Sequence, residues 1–212
     1  MTQIYFYKLT ADNGGAPCVQ DGMLSLAICK PFIRTGARCG DLIFGFAADS
    51  LHEDNRLIYI ARVTEKVLGG DYYVNPHFAR RADCVYERHG DEFRWRAGAL
   101  YHGPRHRGRD LGPHPSYPRA EVLLSDDFRY FGRDGTADYK SRYPVVGAAV
   151  QHLGRGHRVY HDEPLRLELR RLKRQTWSEV GRKVAGNPTS GPRRGASHSG
   201  GSCGVVGGSG GL

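Results

Sequence analysis

The chain has little with which to staple or anchor itself. Its five cysteines, Cys18, Cys29, Cys39, Cys84 and Cys203, are odd in number and include no CxxC pair. That excludes a zinc knuckle and a fully paired disulfide framework. No apolar run approaches the length of a membrane span. The first residues, MTQIYFYKLTADNGG, lack the charged-then-apolar order of a secretory signal. The expectation is a reduced, cytoplasmic protein with no membrane partner. The GxxxxGK[ST] spacing of a phosphate-binding loop is also missing. Hydrophobic residues make up only 39% of the 212, and the shortfall is concentrated after Gly186, where Gly, Ser, Pro and Arg dominate. Composition therefore predicts a single domain over residues 1–180 and a disordered tail over 186–212.

Positive charge is what the chain has in excess. Lysine and arginine total 31 against 22 acidic residues, a net charge of +9. Arginine outnumbers lysine, and its planar fork suits bidentate contact with phosphate. A nucleic acid or a nucleotide is the partner this favours, although a GC-rich genome also enriches arginine.

Read in order, Gln3 to Leu9 alternates as a strand. The loop Asp12 to Cys18 is rich in residues that tolerate positive φ and expose backbone N–H groups. Gly22 to Cys29 fits a helix or a buried strand equally. Pro31 marks a corner, and Phe32 to Arg38 reads as a short helical turn before Gly40-Asp41. Leu42 to Ala47 and Arg56 to Val67 read as a hairpin. Two short strands are expected within Arg80 to Arg96. Tyr101 to Arg119, with His102, His106 and His114, has almost no apolar periodicity, and a loop of that length is more often functional than merely connecting. Val122 to Leu124 is strand-like, Pro144 to Leu153 is a short helix, and Glu163 to Trp177 has helical spacing.

Several spaced motifs carry a resemblance. They are Tyr5-x-Tyr7-Lys8, Gly15-Ala16-Pro17-Cys18, Cys29-Lys30-Pro31-x-Ile33-Arg34, Ala37-x-x-Gly40-Asp41 and Val122-Leu123-Leu124-Ser125-x-x-Phe128-x-Tyr130-Phe131-Gly132. Over roughly residues 3 to 153 the chain resembles the second of the nucleotide-modification-associated domains, small proteins linked to systems that make or handle modified DNA bases. A broader likeness is to PUA-like barrels of the EVE and ASCH kind, where a Gly-Asp dipeptide precedes a barrel strand. The resemblance implies an α+β, PUA-like mixed barrel with short flanking helices, and a ligand that is a nucleic acid or a modified nucleotide.

Residue types then nominate a site. Lys8, Lys30 and Arg34 are candidates for phosphate, with Gly15 and Asn13 of the glycine-rich loop beside them. Asn13, Asp41 and Ser125 offer donors and acceptors for a base edge, and Tyr7 and Tyr72 offer stacking faces. An enzyme is the alternative, of transferase or hydrolase type. His102 with Asp110 supplies a general base and its orienting carboxylate, Asp41 is a further acid, and Cys18 or Cys29 is a nucleophile. Nothing in the spacing enforces either pairing. A metal site on His102, His106 and Asp110 needs a helix that Gly103, Pro104 and Gly108 oppose, so no metal and no cofactor are expected. A basic subunit that docks an acidic protein is the third reading.

Overall fold

In the computed structural model, which describes residues 2–154 and 156–191, the alternation read in the N-terminal strand divides two cores. Strand β1 (Ile4–Leu9) sends Tyr5, Tyr7 and Leu9 to one side and Ile4 and Phe6 to the other. The glycine-rich loop leads to a hairpin of β2 (Cys18–Gln20) and β3 (Met23–Leu26), which settles the Gly22–Cys29 ambiguity as strand. Pro31 opens the short helix α1 (Pro31–Gly36). Strands β4 (Leu42–Ala47) and β5 (Leu57–Arg62) form the expected antiparallel hairpin. Gly45 has to lack a side chain here, since a Cβ would stand 2.3 Å from the Tyr59 ring. Then come β6 (Glu65–Val67), α2 (Asp71–Val74), the hairpin β7 (Tyr86–His89) and β8 (Glu92–Trp95), and α3 (Arg107–Leu111). Strands β9 (Val122–Ser125) and β10 (Asp127–Tyr130), helices α4 (Tyr139–Arg142) and α5 (Pro144–Gln151), β11 (His157–Arg158) and α6 (Glu163–Glu179) complete the order.

The strands form three sheets, ordered β10-β5-β4-β1-β11, β2-β3-β9-β6 and β7-β8. The chain turns from the five-stranded to the four-stranded sheet between β5 and β6, and back again between β9 and β10. Tyr5, Tyr7, Leu24, Leu26, Ile43 and Phe128 pack between these two sheets. The described strands nevertheless leave both sheets open and do not close into one barrel, which corrects the PUA-like expectation while keeping the α+β class.

Each outer face is covered. Helices α4, α5 and α6 lie on the five-stranded sheet through Phe44, Phe46, Val146, Val150, Leu165 and Leu169. Burial on both sides explains why β4 reads as an unbroken apolar run. On the far face of the four-stranded sheet, α2, the β7-β8 hairpin and the Tyr101–Arg119 loop pack through Tyr72, Tyr73, Tyr86, Tyr101 and Leu111. The start of the expected tail is part of the fold. Tyr130 bonds through its backbone to Lys183 and Ala185, and the Thr189 backbone N–H donates to buried Asp12 at 3.1 Å. The remainder of that tail, residues 192–212, lies outside the described residues.

Candidate functional site

Arg34 organises the region where the two inner cores meet. It sits on α1 with no exposed surface. Its guanidinium donates to the carbonyls of Cys29 at 2.7 Å, Asp110 at 2.7 Å, Arg119 at 2.7 Å and Glu121 at 2.5 Å. Charge-assisted bonds to four carbonyls offset the desolvation of one buried cation. They also fasten the long Tyr101–Arg119 loop to the segment that carries Cys29. With four of its five N–H donors on backbone carbonyls and no exposed surface, Arg34 holds the fold together and does not face a phosphate, which corrects its nomination as a ligand contact.

That fastening brings three side chains into line. Cys29 Sγ lies 3.1 Å from His102 Nε2, and His102 Nδ1 lies 2.5 Å from Asp110 Oδ2. The Tyr86 hydroxyl donates to the same Oδ2 at 2.7 Å, and the Cys29 backbone N–H donates to Oδ1 at 3.2 Å. An Asp110 carboxylate can only accept from Nδ1, so the network puts the proton there and leaves Nε2 free to accept the thiol proton. Cys29, Lys30 and His102 all hold left-handed backbone, with φ of 58°, 41° and 56°. None is glycine, and such a conformation costs about 1–3 kcal/mol at each residue. Three strained residues therefore meet in one place.

The electrostatics agree with the geometry. Burial alone would raise the Asp110 carboxyl, but the His102 bond and charge, the Tyr86 hydroxyl and the Arg34 guanidinium outweigh it and hold the group below the ordinary carboxylate value. Asp110 therefore stays ionised beside His102. The His106 ring stacks on His102 with centroids 4.5 Å apart. Burial, the His102 charge and Arg109 all push its pKa down, so it stays neutral beside the base. Cys18, the other nominated nucleophile, is buried, and desolvation with the Asp83 charge pushes its thiol up to about 12. It is no nucleophile at neutral pH.

The other nominated residues scatter. Asp41 is buried and accepts from the backbone N–H groups of Gln3 at 2.8 Å and Arg38 at 2.9 Å, so it makes the turn and faces no ligand. Ser125 is buried and donates to the Asp127 carbonyl at 3.1 Å. Tyr7 and Tyr72 have no exposed ring to stack on; their hydroxyls bond Tyr59 at 2.9 Å and Asp83 at 2.6 Å. Lys8 shares the Phe6 face of β1 and pairs with Asp49 at 3.4 Å, across the sheet from Lys30. Lys30 lies next to the thiol in sequence, with its ammonium 4.5 Å from the Tyr7 ring centroid. Gly15 is covered by Tyr101, whose ring a Cβ would approach to 2.8 Å. Asn13 and Gly14 line a separate cleft of about 400 Å³ with Cys18, Tyr101, Arg133 and Thr189. Contrary to the argument from Gly103, Pro104 and Gly108, the segment after His102 is helical, a 3-10 turn over Pro104–His106 running into α3. Among the described residues, no group of three or more His, Cys, Asp or Glu is arranged to hold a metal. Tyr86 was not foreseen, because a strand tyrosine reads as core.

Residues 1–162 match the family described as nucleotide modification associated domain 2. The chain belongs to that family. Cys29, His102 and Asp110 all fall inside the matched residues of this nucleotide-modification domain, and α6 begins just beyond them. No curated protein and no solved structure matches it.

Proposed function

We propose that this nucleotide-modification domain is a thiol-dependent enzyme that transfers or hydrolyses an acyl group on a nucleotide or a modified DNA base. The single observation that carries the reading is the line from Cys29 Sγ through His102 to Asp110, at 3.1 Å and 2.5 Å. Nε2 takes the thiol proton as sulfur attacks the acyl carbon. The C–S bond forms, the leaving amine or alcohol takes the proton from Nε2, and a thioester remains on Cys29. Water or a second amine then gives a proton to Nε2 and attacks the thioester, and the thiolate leaves as the proton returns to sulfur. Lys30, one residue from the nucleophile, is the cation this reading assigns to the nucleotide phosphate. Family membership supports the substrate class, and the aligned triad favours an enzyme over a passive reader pocket around Arg34.

The test is alkylation by iodoacetamide at neutral pH, read residue by residue by mass spectrometry, followed by incubation with N-acylated nucleotides. The expectation is that Cys29 reacts faster than exposed Cys39, that His102→Ala removes the advantage, and that an acyl adduct appears on Cys29 alone. Equal rates at the two thiols, unchanged by His102→Ala, would overturn the reading.

A further inference from the structure

Helix α6 sorts its charges by direction. At 100° per residue, its buried residues Leu165, Leu169, Leu172 and Thr176 define the side against the sheet, and Arg170, Arg171 and Arg174 fall on the side away from it. The carboxylates are spent elsewhere. Glu168 accepts from the Val146 backbone N–H at 3.0 Å, and Glu179 accepts from Arg142 at 3.1 Å and Gln175 at 2.6 Å. Among the described residues, Arg170, Arg171 and Arg174 meet no carboxylate within ion-pair distance, while Arg166 at the start of the same ridge has Glu163 at 4.0 Å. Beside them, Trp177 carries the Lys173 ammonium at 4.1 Å and the Arg129 guanidinium at 4.6 Å from its ring. Like charges at i,i+4 oppose helix formation, so the ridge gathers a repulsion that a docked polyanion relieves.

We infer that the outer face of α6 docks the phosphodiester backbone of nucleic acid. Arginines one turn apart repeat about every 6 Å along the helix, a spacing that lets each meet its own phosphate. The ridge lies on the helical layer, across the five-stranded sheet from Cys29, so it tethers a polymer and does not present a base to the thiol. It also stands apart from the thiol chemistry, because docking is read as binding and needs no turnover.

The full chain is titrated with fluorescently labelled duplex DNA of mixed sequence at several KCl concentrations. Beside it stand R170Q/R171Q/R174Q and a charge-matched control, R62Q/R80Q/R105Q, which removes three exposed arginines from other elements. The same titration on Cys29→Ser separates docking from chemistry, and circular dichroism confirms that each variant folds. The α6 variant is expected to bind at least about tenfold more weakly at low salt, with a log K against log salt slope shallower by up to about 3, while the control changes less than half as much. Equal losses in the two triple variants would reduce the ridge to net charge and overturn the inference. So would a wild-type chain that ignores DNA, or an α6 variant that binds as well as wild type.

Discussion

Two aspartates lie at the centre of the molecule's second core region, and they end differently. Asp83 and Asp110 are both fully buried, and both accept a tyrosine hydroxyl, Tyr72 at 2.6 Å and Tyr86 at 2.7 Å. Around Asp83 the network closes on itself. Ser25 donates at 2.5 Å, and Arg81 stands 3.7 Å away with its other donors on the Cys18, Gln20 and Met23 carbonyls. Around Asp110 it runs outward, through His102, to a half-buried thiol. A buried carboxylate alone therefore says little about function. What marks the second network is that its chain of donors ends on a half-buried thiol, the group to which the proposed function assigns the chemistry.

The largest effect that sharpens this contrast is on stability. Arg81→Ala leaves Asp83 buried beside no cation and is expected to lower the unfolding free energy by about 3–5 kcal/mol in urea titration, with the alkylation rate of Cys29 in the folded fraction unchanged. His102→Ala should act on both readouts. Cys29 alkylation at neutral pH falls about 10²-fold or more, and loss of the bond to buried Asp110 costs about 1.5–3 kcal/mol of unfolding free energy. Next come the paired tyrosines. Tyr72→Phe and Tyr86→Phe each remove one bond to a charged group and should each cost about 1.5–3 kcal/mol, but only Tyr86→Phe shifts the pH dependence of thiol alkylation. If both tyrosine variants alter that profile, the two networks are one.

The smallest effect is on the acid limb of stability. Asp110 is held below the ordinary 3.8, so its contribution is complete above that value and is lost as pH falls through its folded-state pKa. Asp83 is raised above 3.8 because burial outweighs Ser25, Tyr72 and Arg81, so the native chain takes up that proton first and acid relieves a penalty. Between about pH 5 and pH 2, Asp110→Asn should flatten the loss of unfolding free energy and Asp83→Asn should steepen it, as measured by urea titration across that range.

Strands β1, β4 and β5, the β4-β5 and β7-β8 hairpins and both longer helices were legible because period-two and helical spacing are local properties, whereas the β2-β3 hairpin and the break between β5 and β6 were not. The pairing of His102 with Asp110, and Cys29 as a nucleophile, could be nominated from residue types. Their convergence could not, since 73 residues separate the thiol from the imidazole. The signal that assembles them is Arg34, and it misleads when read alone. A guanidinium in a basic chain reads as a surface cation, and three carbonyl acceptors from the distant Asp110 and Arg119–Glu121 segments leave no trace in its neighbourhood. Tyr7, Tyr72, Asp41 and Ser125 failed for a related reason. Polar atoms that look available in sequence are consumed by partners that only the fold supplies.

The Arg34 clasp also predicts an order in which the protein comes apart. The sheets hold themselves by strand pairing and packed apolar surface, whereas the loop bearing His102 and Asp110 has no strand pairing and meets the Cys29 segment through polar ties, the Arg34 guanidinium, the Cys29 N–H and the Cys29–His102 contact. Warming should release that loop while both sheets stay intact, so thiol reactivity fades at a lower temperature than secondary structure and returns on cooling. An assay of the thiol would then report a subtle, reversible loss that a melting curve of the whole fold would miss.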